Sequence, residues 1–402
     1  MKRVLIFSLN YFPYASGAEI AIKEITDRIP DREFHIVPYR FDSNWAKDER
    51  IGNVFVHRVG FGKKGTALAE SYEPLFYLGK ILYVPLAAYR GWRLHRELGF
   101  DGGWAMMSYM VFPFVLMRMA GVRIPYLLTL QDGDPFERVF KRKRIRPFLP
   151  LLTYGFRNAA RVQAISTYLL GWARRVGYAG PGEVIPNGVS GTHFAQTFSD
   201  EETRYVRDEL GAGEHDTLLV TTSRLVHKNG IDTVIDALSQ LPDTVKFVIA
   251  GVGPLEDALK ARVEMRKLAK QVIFLGEVPQ SEMPLLLAAC DIFIRPSRTE
   301  GQGVSFMEAM AAGLPIIATQ EGGLADFLFD KNRNPDTPPT GFAVDVDAPD
   351  QIAETVKAII ADPAGTREVV ENARSLVQTN YDWDAIAPRM RGMLVSDDRA
   401  EG

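Results

Sequence analysis

The segment DIFIRPSRTEGQGVSFMEAMAAGLPIIAT, residues 291–319, contains the pattern that decides the fold of this chain. Its first part, DIFIRPS (291–297), has the apolar run of a buried strand. A later part, VSFMEAMAAG (304–313), has the spacing of an amphipathic helix that ends at a glycine. The glycine-containing loop between them therefore leads from a strand into a helix N-terminus, where backbone amides form a site for an anion, usually a phosphate.

Two carboxylates flank this loop, Glu300 before it and Glu308 on the helix. Because like charges repel, these side chains are not suited to binding the phosphate itself. A carboxylate accepts hydrogen bonds from hydroxyl groups, which a ribose or a hexose supplies. A loop that offers amides to a diphosphate and carboxylates to the sugars on either side predicts a nucleotide-sugar site.

Apolar, β-rich runs alternate with helical periodicity along nearly the whole chain, which predicts parallel sheets covered by helices. The predicted strands are 3–9, 34–39, 54–59, 125–130, 161–166, 182–186, 217–223, 245–251, 272–277, 291–297, 315–319 and 341–345.

This strand number exceeds what one open sheet comfortably holds, and the stretch 185–202 is rich in Gly, Ser and Thr. We therefore predict an α/β chain with two doubly wound, Rossmann-like domains that face each other across a cleft. The first domain is expected to cover residues 1–190 and the second residues 191–375. The remaining segment, 376–402, has helical periodicity and is expected to pack back on the first domain.

The composition excludes several classes of protein. With 402 residues, 46% hydrophobic and 24% charged, the chain has the profile of a soluble globular protein of two domains. The single cysteine, Cys290, rules out a disulfide framework and agrees with a reducing compartment. The N-terminal apolar run is too short for a signal peptide, and no apolar stretch is long enough to cross a membrane. We therefore expect a cytoplasmic protein.

Positive charge is concentrated between Gly103 and Arg175, where twelve basic and three acidic residues give +9, against −3 for the whole chain. The densest part, 138–146, is either a solvated basic face or a surface that rests on anionic lipid headgroups, where each Lys or Arg contributes ~1 kcal/mol. The aromatic and aliphatic stretch 73–96, which ends in basic residues, favours the second interpretation. No recognised nucleic-acid motif accompanies this charge, so we expect no nucleic-acid partner.

Two cations, Arg224 and Lys228, follow the predicted strand 217–223. Ligands of parallel α/β sheets bind at the carboxyl ends of strands, so this loop and the Gly301-Gln302-Gly303 loop are expected at the same edge. Two cations beside the loop amides would clamp a diphosphate and stabilise its charge as a nucleotide leaves. An Arg and a Lys on a loop are by themselves more typical of a solvated surface, but the combination favours the functional interpretation.

The first half of the chain offers weaker candidates. Gly17 opens a helix directly after the first strand, which is the geometry of an anion site, although one glycine is often only turn chemistry. Asp132 and Asp134 follow the strand 125–130 at a spacing that many metal-dependent enzymes use to hold a divalent ion. A polar turn before Pro135 is the alternative. We expect polar contact with acceptor or donor hydroxyl groups, from Asp132 more than from Asp134.

With these residues in place, the chain closely resembles the retaining glycosyltransferases of family 4, which have the GT-B fold. The resemblance covers essentially the whole length. The matching motifs are Glu300 and Glu308 as Glu-x7-Glu, Arg224 and Lys228 as the basic pair, Pro186-Asn187-Gly188 as the hinge segment and Ser16-Gly17-Ala18-Glu19 as the N-terminal glycine loop.

The resemblance implies a role for each of the matching residues. Glu308 would bind the ribose hydroxyls, and Glu300 would lie by the donor sugar. The amides of Gly303 and Val304 would hold the diphosphate, and Val278 would border the base. The resemblance further implies retention at the anomeric carbon without an obligatory metal or other cofactor.

The chain departs from the family at two places. Relatives usually have a histidine that meets the hydroxyls of the donor sugar, where this chain has Gln131 and Asp132. The loop around Gly17 has one glycine where many relatives have two.

Together these features predict a retaining glycosyltransferase that moves a sugar from a nucleotide-diphosphate sugar to a hydroxyl of a lipid-linked or surface-glycan acceptor. It would be peripheral on the inner face of the membrane. A nucleotide-sugar epimerase of the same fold and a non-catalytic sugar-nucleotide-binding protein are the alternatives. The expected catalytic residues are Glu300, Arg224, Lys228 and Asp132, and the expected donor-binding residues are Gly17, Val278, Gly301, Gln302, Gly303, Val304 and Glu308.

Overall fold

The computed structural model describes residues 1–14, 16–62, 64 and 74–394, and the chain forms two compact units. Unit 1 comprises Met1–Asn187 together with Trp383–Gly402, and unit 2 comprises Gly188–Asp382. The chain passes from unit 1 to unit 2 after Asn187, whereas the predicted first domain ends at residue 190. It returns to unit 1 after Asp382, whereas the predicted second domain ends at residue 375.

Unit 1 is built on an eight-stranded sheet with the order β3-β4-β2-β1-β5-β6-β7-β8. All neighbours are parallel except β3 and β4, which pair antiparallel at one edge. The strands are β1 (Lys2–Phe7), β2 (Arg32–Val37), β3 (Asp48–Ile51), β4 (Val54–His57), β5 (Gly102–Met106), β6 (Tyr126–Leu130), β7 (Arg161–Ala164) and β8 (Gly182–Val184). The helices between them are α1 (Gly17–Asp27), α2 (Pro74–Leu98), α3 (Val111–Met119), α4 (Phe136–Phe140), α5 (Leu149–Arg157) and α6 (Thr167–Arg175).

The sheet of unit 1 is covered on both faces because its strands are apolar on both sides. In β1, Val4 and Ile6 belong to one core cluster, while Leu5 and Phe7 belong to another. Consecutive side chains of a strand point to opposite faces, so these two clusters are the two sides of the sheet. This arrangement is the doubly wound architecture that the alternating pattern predicts.

Unit 2 repeats this plan with a six-stranded parallel sheet in the order β11-β10-β9-β12-β13-β14. The strands are β9 (Thr217–Thr222), β10 (Val245–Ala250), β11 (Val272–Gly276), β12 (Ile292–Arg295), β13 (Ile316–Ala318) and β14 (Phe342–Ala343). The helices are α7 (Gly191–Phe194), α8 (Asp200–Glu209), α9 (Ile231–Leu238), α10 (Glu256–Arg266), α11 (Met283–Ala288), α12 (Val304–Ala312), α13 (Pro349–Ala361) and α14 (Pro363–Asn380). The only cysteine, Cys290, is buried in the core of this unit just after α11.

The last helix, α15 (Trp383–Leu394), belongs to unit 1 although it follows unit 2 in sequence. Trp383 and Ile386 join the core cluster that also contains Val4 and Ile6. At the surface, Arg28, the residue after α1, donates to Asp384 over 2.6 Å. The chain therefore returns to the first unit through an apolar face and an ion pair.

Each predicted strand overlaps an observed one, and the prediction of two Rossmann-like domains is confirmed. Two observed strands were not predicted. The edge strand β3 is largely exposed and polar, so it has no apolar signal. The sequence of β5, GGWAM, begins with two glycines, which are unfavourable in a strand until neighbouring strands bury them.

Among the described residues, no helix is both long enough and apolar enough to cross a membrane.

Candidate functional site

In unit 2 the site is built where β9 and its neighbour β12 end. The loop after β9 and the loop after β12 lie against each other. They are so close that a Cβ at Gly230, which has a left-handed φ of 68°, would overlap the carbonyl oxygen of Pro296. The amide of Arg298 also donates to the carbonyl oxygen of Lys228 over 2.7 Å. This contact between the loops brings two predicted site residues together, since Lys228 Nζ lies 3.6 Å from Glu300 Oε1.

The Glu300 side chain is 11% exposed and is held from several directions. Its Oε1 accepts from the amide of Gly301 over 2.9 Å, and its Oε2 accepts from Nη2 of Arg295 over 3.1 Å. With Lys228 nearby, one carboxylate faces two cations and one amide. The side chain is therefore fixed in orientation at the start of the glycine loop.

Arg295 is a residue that the sequence analysis missed. It is the last residue of β12 and is buried, and burial lowers the pKa of its guanidinium. Its Nη1 donates to Ser305 Oγ over 2.7 Å, and its Cζ lies 4.2 Å from the ring centroid of Phe306. The sequence did contain a signal, a charged residue inside the apolar run DIFIRPS. A buried charge requires partners, so this arginine could have been predicted to contact a carboxylate.

The glycine loop ends at Gly303, which precedes the first residue of α12 and has a φ of 83°. A Cβ at Gly303 would approach Phe306 to 2.6 Å and Arg295 Nη2 to 2.9 Å, so only glycine fits. The amides of Gly303 and Val304 lie at the helix start, where backbone N–H groups lack helical partners and favour anions. Gln302, between the two glycines, is 2% exposed.

Glu308 lies farther along α12 and is paired differently from Glu300. Gln280 Nε2 donates to Glu308 Oε1 over 3.0 Å, and burial raises the pKa of the Glu308 carboxyl. The carbonyl of Gln280 in turn lies 3.2 Å from Nε2 of His193. Val278 is half-buried against the same core cluster that α12 contributes to. Glu308 and Val278 thus lie on neighbouring parts of unit 2, as candidates for the ribose and the base.

Arg224 is exposed and lies at the beginning of the loop after β9. Its carbonyl oxygen accepts from Asn229 Nδ2 over 2.7 Å, which fixes the backbone while the side chain faces solvent. The role of Arg224 as a phosphate ligand stays a prediction.

In unit 1, Gly17 is the first residue of α1 and is exposed. Glu19 accepts from the amide of Ser16 over 2.8 Å and from its hydroxyl over 2.5 Å. A Cβ on Gly17 would meet no atom within 4 Å, so the structure does not require glycine for local packing. The Glu19 carboxylate adds negative charge at the helix start, which competes with an incoming anion. The assignment of Gly17 to donor binding stays a prediction.

Asp132 and Asp134 lie after β6 but in different surroundings. Asp132 is 7% exposed, and its Oδ2 accepts from the hydroxyl of Ser108 over 2.7 Å and from the amide of Ser108 over 3.3 Å. Burial raises the pKa of Asp132 to about 6. Asp134 faces solvent and pairs with Arg142 over 3.0 Å and Arg138 over 3.4 Å. Asp132 is therefore the one with the unusual titration expected of a functional group.

Among residues 1–14, 16–62, 64 and 74–394, no group of three or more His, Cys, Asp or Glu side chains has an arrangement that could hold a metal ion. The two carboxylates of the Asp-x-Asp pattern have different partners. Asp132 accepts from Ser108, whereas Asp134 accepts from Arg142. The expectation that no metal is obligatory stays a prediction.

The basic segment, residues 138–146, is exposed from Lys141 to Arg144, and Phe148 beyond it is 51% exposed. On α2, Ile81 is 68% exposed. Desolvation lowers the pKa of the adjacent Lys80, and the positive charge of Arg142 lowers it further. This electrostatic coupling means that α2 and the basic segment lie close together on unit 1. Cations and exposed apolar side chains therefore occur on the same part of the surface.

Comparison with known proteins bears on unit 2 first. Residues 202–376 match the family model described as "Glycosyl transferases group 1". The matched region contains Arg224, Lys228, Glu300 and Glu308.

Two curated relatives align with part of the chain. One is the GDP-mannose-dependent alpha-(1-6)-phosphatidylinositol monomannoside mannosyltransferase of Mycobacterium tuberculosis, which is 32% identical over 240 residues, or 57% of this chain. The GDP-mannose-dependent monoacylated alpha-(1-6)-phosphatidylinositol monomannoside mannosyltransferase of Corynebacterium glutamicum is 29% identical over 228 residues, or 54% of this chain. The chain spans 60% and 57% of the length of these two relatives.

Similarity to solved structures extends over nearly the whole chain. Sucrose-phosphate synthase from Thermosynechococcus elongatus superposes with a TM-score of 0.80 at 19% identity, covering 97% of this chain and 98% of that one. At this identity the likeness shows the fold alone, which is GT-B. The predicted fold class is confirmed.

Proposed function

We propose, from the premise that residues 202–376 form a glycosyl transferases group 1 domain, that this chain is a retaining glycosyltransferase that uses a nucleotide-diphosphate sugar. The observation that carries the proposal is the Glu300 carboxylate, which lies between Lys228 and Arg295 at the start of the glycine loop. Helix amides for a diphosphate, cations for its charge and carboxylates for sugar hydroxyls occur together in one unit.

The proposed reaction is a front-face transfer. The diphosphate would lie against the first amides of α12, with Lys228 and Arg224 supplying positive charge. The bond between the anomeric carbon and the phosphate oxygen breaks, and the acceptor hydroxyl oxygen bonds to the same carbon on the same face. The hydroxyl proton passes to the departing nucleoside diphosphate, so a strong protein base is not required. Groups that meet the charge developing on the leaving diphosphate lower the barrier.

Glu300 is proposed to orient the donor sugar and not to attack it. One of its oxygens accepts from the Gly301 amide and the other from Arg295, so the carboxylate is already held by donors on both oxygens. Each oxygen keeps a second lone pair that can accept from a sugar hydroxyl. A held carboxylate suits hydrogen bonding to a sugar better than it suits forming a covalent bond.

The proposed acceptor is a lipid-linked glycan or another glycan at a membrane surface. Both curated relatives are named as mannosyltransferases of phosphatidylinositol monomannosides, which supports a lipid-linked acceptor. The exposed basic segment and the apolar side chains beside it support contact with anionic headgroups. We propose a peripheral location on the inner face of the membrane, and polar contact between Asp132 and hydroxyl groups of the acceptor or the donor.

A thermal-shift panel of GDP, UDP and ADP, each alone and as its sugar conjugates, tests donor binding. A ligand present at 100 times its Kd stabilises the folded state by ~2.7 kcal/mol, so one nucleotide series is expected to raise the Tm above the others. That donor is then incubated with and without a glycolipid acceptor. Transfer only with acceptor, unaffected by EDTA, is the expected result. Isomerisation of the donor without acceptor indicates an epimerase, and binding without any turnover indicates a non-catalytic protein.

Sedimentation with vesicles tests the membrane contact. Binding to vesicles with anionic lipid, but not to vesicles of neutral lipid, is expected, with release by salt. Lys143→Ala should weaken binding about 5-fold, since one basic residue contributes ~1 kcal/mol. Lys270→Ala, an exposed lysine of unit 2, is the matched control and should leave binding unchanged. Equal losses in the two variants would show that only net charge matters.

A further inference from the structure

The proposed reaction gives Arg295 no role. It ends an otherwise apolar strand, it is 5% exposed, and its guanidinium is within hydrogen-bonding distance of the Glu300 carboxylate. A buried ion pair rarely adds stability compared with apolar residues of the same size, because desolvation offsets the attraction. Another reason for placing this charge beneath the loop is therefore required.

The contacts of Arg295 connect the two halves of the donor site. Nη2 donates to Glu300 Oε2 over 3.1 Å, while Nη1 donates to Ser305 Oγ over 2.7 Å in the first turn of α12. The face of the guanidinium packs on Phe306, also in that turn. The carboxylate that would orient the sugar is thus tied to the helix start that would hold the diphosphate.

Arg295 does not have the geometry of a phosphate ligand. Both terminal nitrogens already donate within the protein, and the side chain lies under the loop backbone, where a Cβ on Gly303 would come within 2.9 Å of Nη2. The third nitrogen, Nε, is buried without a hydrogen-bond partner in the described structure. By contrast, Arg224 is exposed and Lys228 is partly exposed, as cations that meet a ligand must be.

We propose that Arg295 is the positioning residue of the donor site. It sets the orientation of Glu300 relative to the first turn of α12 through the Glu300 and Ser305 contacts, and it does not itself touch the donor. The proposal rests on the proposed function for its effect on transfer, whereas the Arg295–Glu300 coupling is measurable in the protein without substrate.

The first test is a double-mutant cycle on stability, which requires no activity. Arg295→Met and Glu300→Gln are each expected to lower the Tm, Arg295→Met by roughly 5–10 °C because it leaves a buried carboxylate with one cation fewer. The double variant is expected to recover most of that loss, since it removes both charges. Additive losses would overturn the pairing.

The second test separates positioning from ligand binding. Arg295→Met is expected to lower kcat about 100-fold, the cost of a misplaced group, while the affinity for the nucleoside diphosphate found in the thermal-shift panel changes less than about 3-fold. Arg295→Lys, which keeps the charge but not the two-pronged geometry, should recover part of kcat. In the Glu300→Gln background, Arg295→Met should cost little further activity.

Arg207 on α8 provides a control, because its ion pair lies at the opposite end of β12 from Arg295. It is a mostly buried arginine of unit 2 that pairs with Asp291, just before β12, over 3.1 Å. Arg207→Met should lower the Tm without the loss of kcat. If Arg295→Met behaves like Arg207→Met, or costs nucleotide affinity as much as kcat, or costs the same factor with and without Glu300, the positioning role is wrong. If the wild-type protein transfers no sugar from any donor, the proposed function fails while the stability cycle still reports on the pairing.

Discussion

Glu300 in unit 2 and Asp132 in unit 1 are both buried carboxylates at the carboxyl ends of parallel strands, yet their surroundings differ. Glu300 faces Lys228 and Arg295. Asp132 accepts both of its described hydrogen bonds from Ser108, and burial raises its pKa to about 6. One carboxylate is held by positive charge, and the other is held by a hydroxyl and an amide.

The difference between these surroundings supports a different proposed role for each carboxylate. A carboxylate between two cations is held in one orientation, which suits the proposed binding of a sugar. A buried carboxyl that titrates near neutral pH can accept and return a proton when a hydroxyl approaches. Both carboxylates are buried, so the different roles that we propose for them rest on the charge of their neighbours.

The largest effect is expected from Glu300→Gln, which removes the negative charge that lies between Lys228 and Arg295. Transfer should slow about 10²–10³-fold, the cost of losing one oriented polar group in a transition state. Nucleoside diphosphate affinity should stay nearly unchanged, because the helix amides, Lys228 and Arg224 remain. Initial rates and thermal shifts with the same donor measure the two quantities. Equal loss of both would mean that Glu300 serves nucleotide binding.

The second largest effect is expected from Asp132→Asn, which replaces the titrating carboxyl group with a neutral amide. The folded-state pKa of Asp132 lies above its ordinary value of 3.8, so the folded protein binds this proton more tightly than the unfolded chain. The stabilising contribution is present at low pH and is lost as the pH rises from about 4 to about 6. Asp132→Asn should therefore increase the free energy of unfolding at pH 7 by ~2 kcal/mol, and by much less at pH 4.

Urea unfolding of this variant at pH 4, 5, 6 and 7 measures the trend. Asp134→Asn is the control, because its exposed pairs with Arg138 and Arg142 should contribute less than ~1 kcal/mol. A stability gain for Asp132→Asn that does not change with pH would show that ionisation of Asp132 is not its cause.

Glu308 shares features with both Glu300 and Asp132. Desolvation raises its pKa, as it does for Asp132, but Glu308 is only half-buried, accepts from the Gln280 amide and lies in unit 2. Glu308→Ala should weaken nucleoside diphosphate binding about 10–30-fold, the effect of one charge-assisted hydrogen bond to ribose. Calorimetry or thermal shift measures this, and Glu264→Ala, an exposed glutamate on α10, is the control. An effect confined to kcat would exclude the ribose role.

The smallest effect is expected from Ser108→Ala, which removes the hydroxyl that holds Asp132. At pH 7, where the carboxyl is charged, the loss should lower the free energy of unfolding by ~1 kcal/mol. At pH 4 the protonated carboxyl needs the hydroxyl less, so the loss should shrink. Equal destabilisation at both pH values would assign Ser108 a packing role that is independent of Asp132.

The fold and much of the candidate site in unit 2 could be predicted because their signals are local in sequence. The glycine loop, the strand before it and the helix after it lie within one short segment, and Glu300 and Glu308 are part of it. Lys228 could be placed near Glu300 because parallel strands share one carboxyl edge, and the structure separates the two side-chain atoms by 3.6 Å.

What could not be predicted depends on neighbours that are distant in sequence. Arg295 stands in an apolar strand, and only the packed structure shows that it turns toward Glu300 and Ser305. Asp132 and Asp134 look alike in sequence, but Asp132 is buried and bonds to Ser108. Asp134 instead pairs with Arg138 of α4 and with Arg142 just after that helix. Partner choice in a buried polar network is a property of tertiary structure.

The lone cysteine has a practical consequence. Cys290 is buried, and burial raises the pKa of its thiol, so very little thiolate is accessible at neutral pH. The natural sequence is therefore already a suitable background for maleimide labelling. A pair of exposed cysteines, one replacing Lys143 in unit 1 and one replacing Lys270 in unit 2, would carry fluorophores without removing the native thiol. Energy transfer between those dyes would report whether adding a nucleotide sugar changes the distance from one unit to the other.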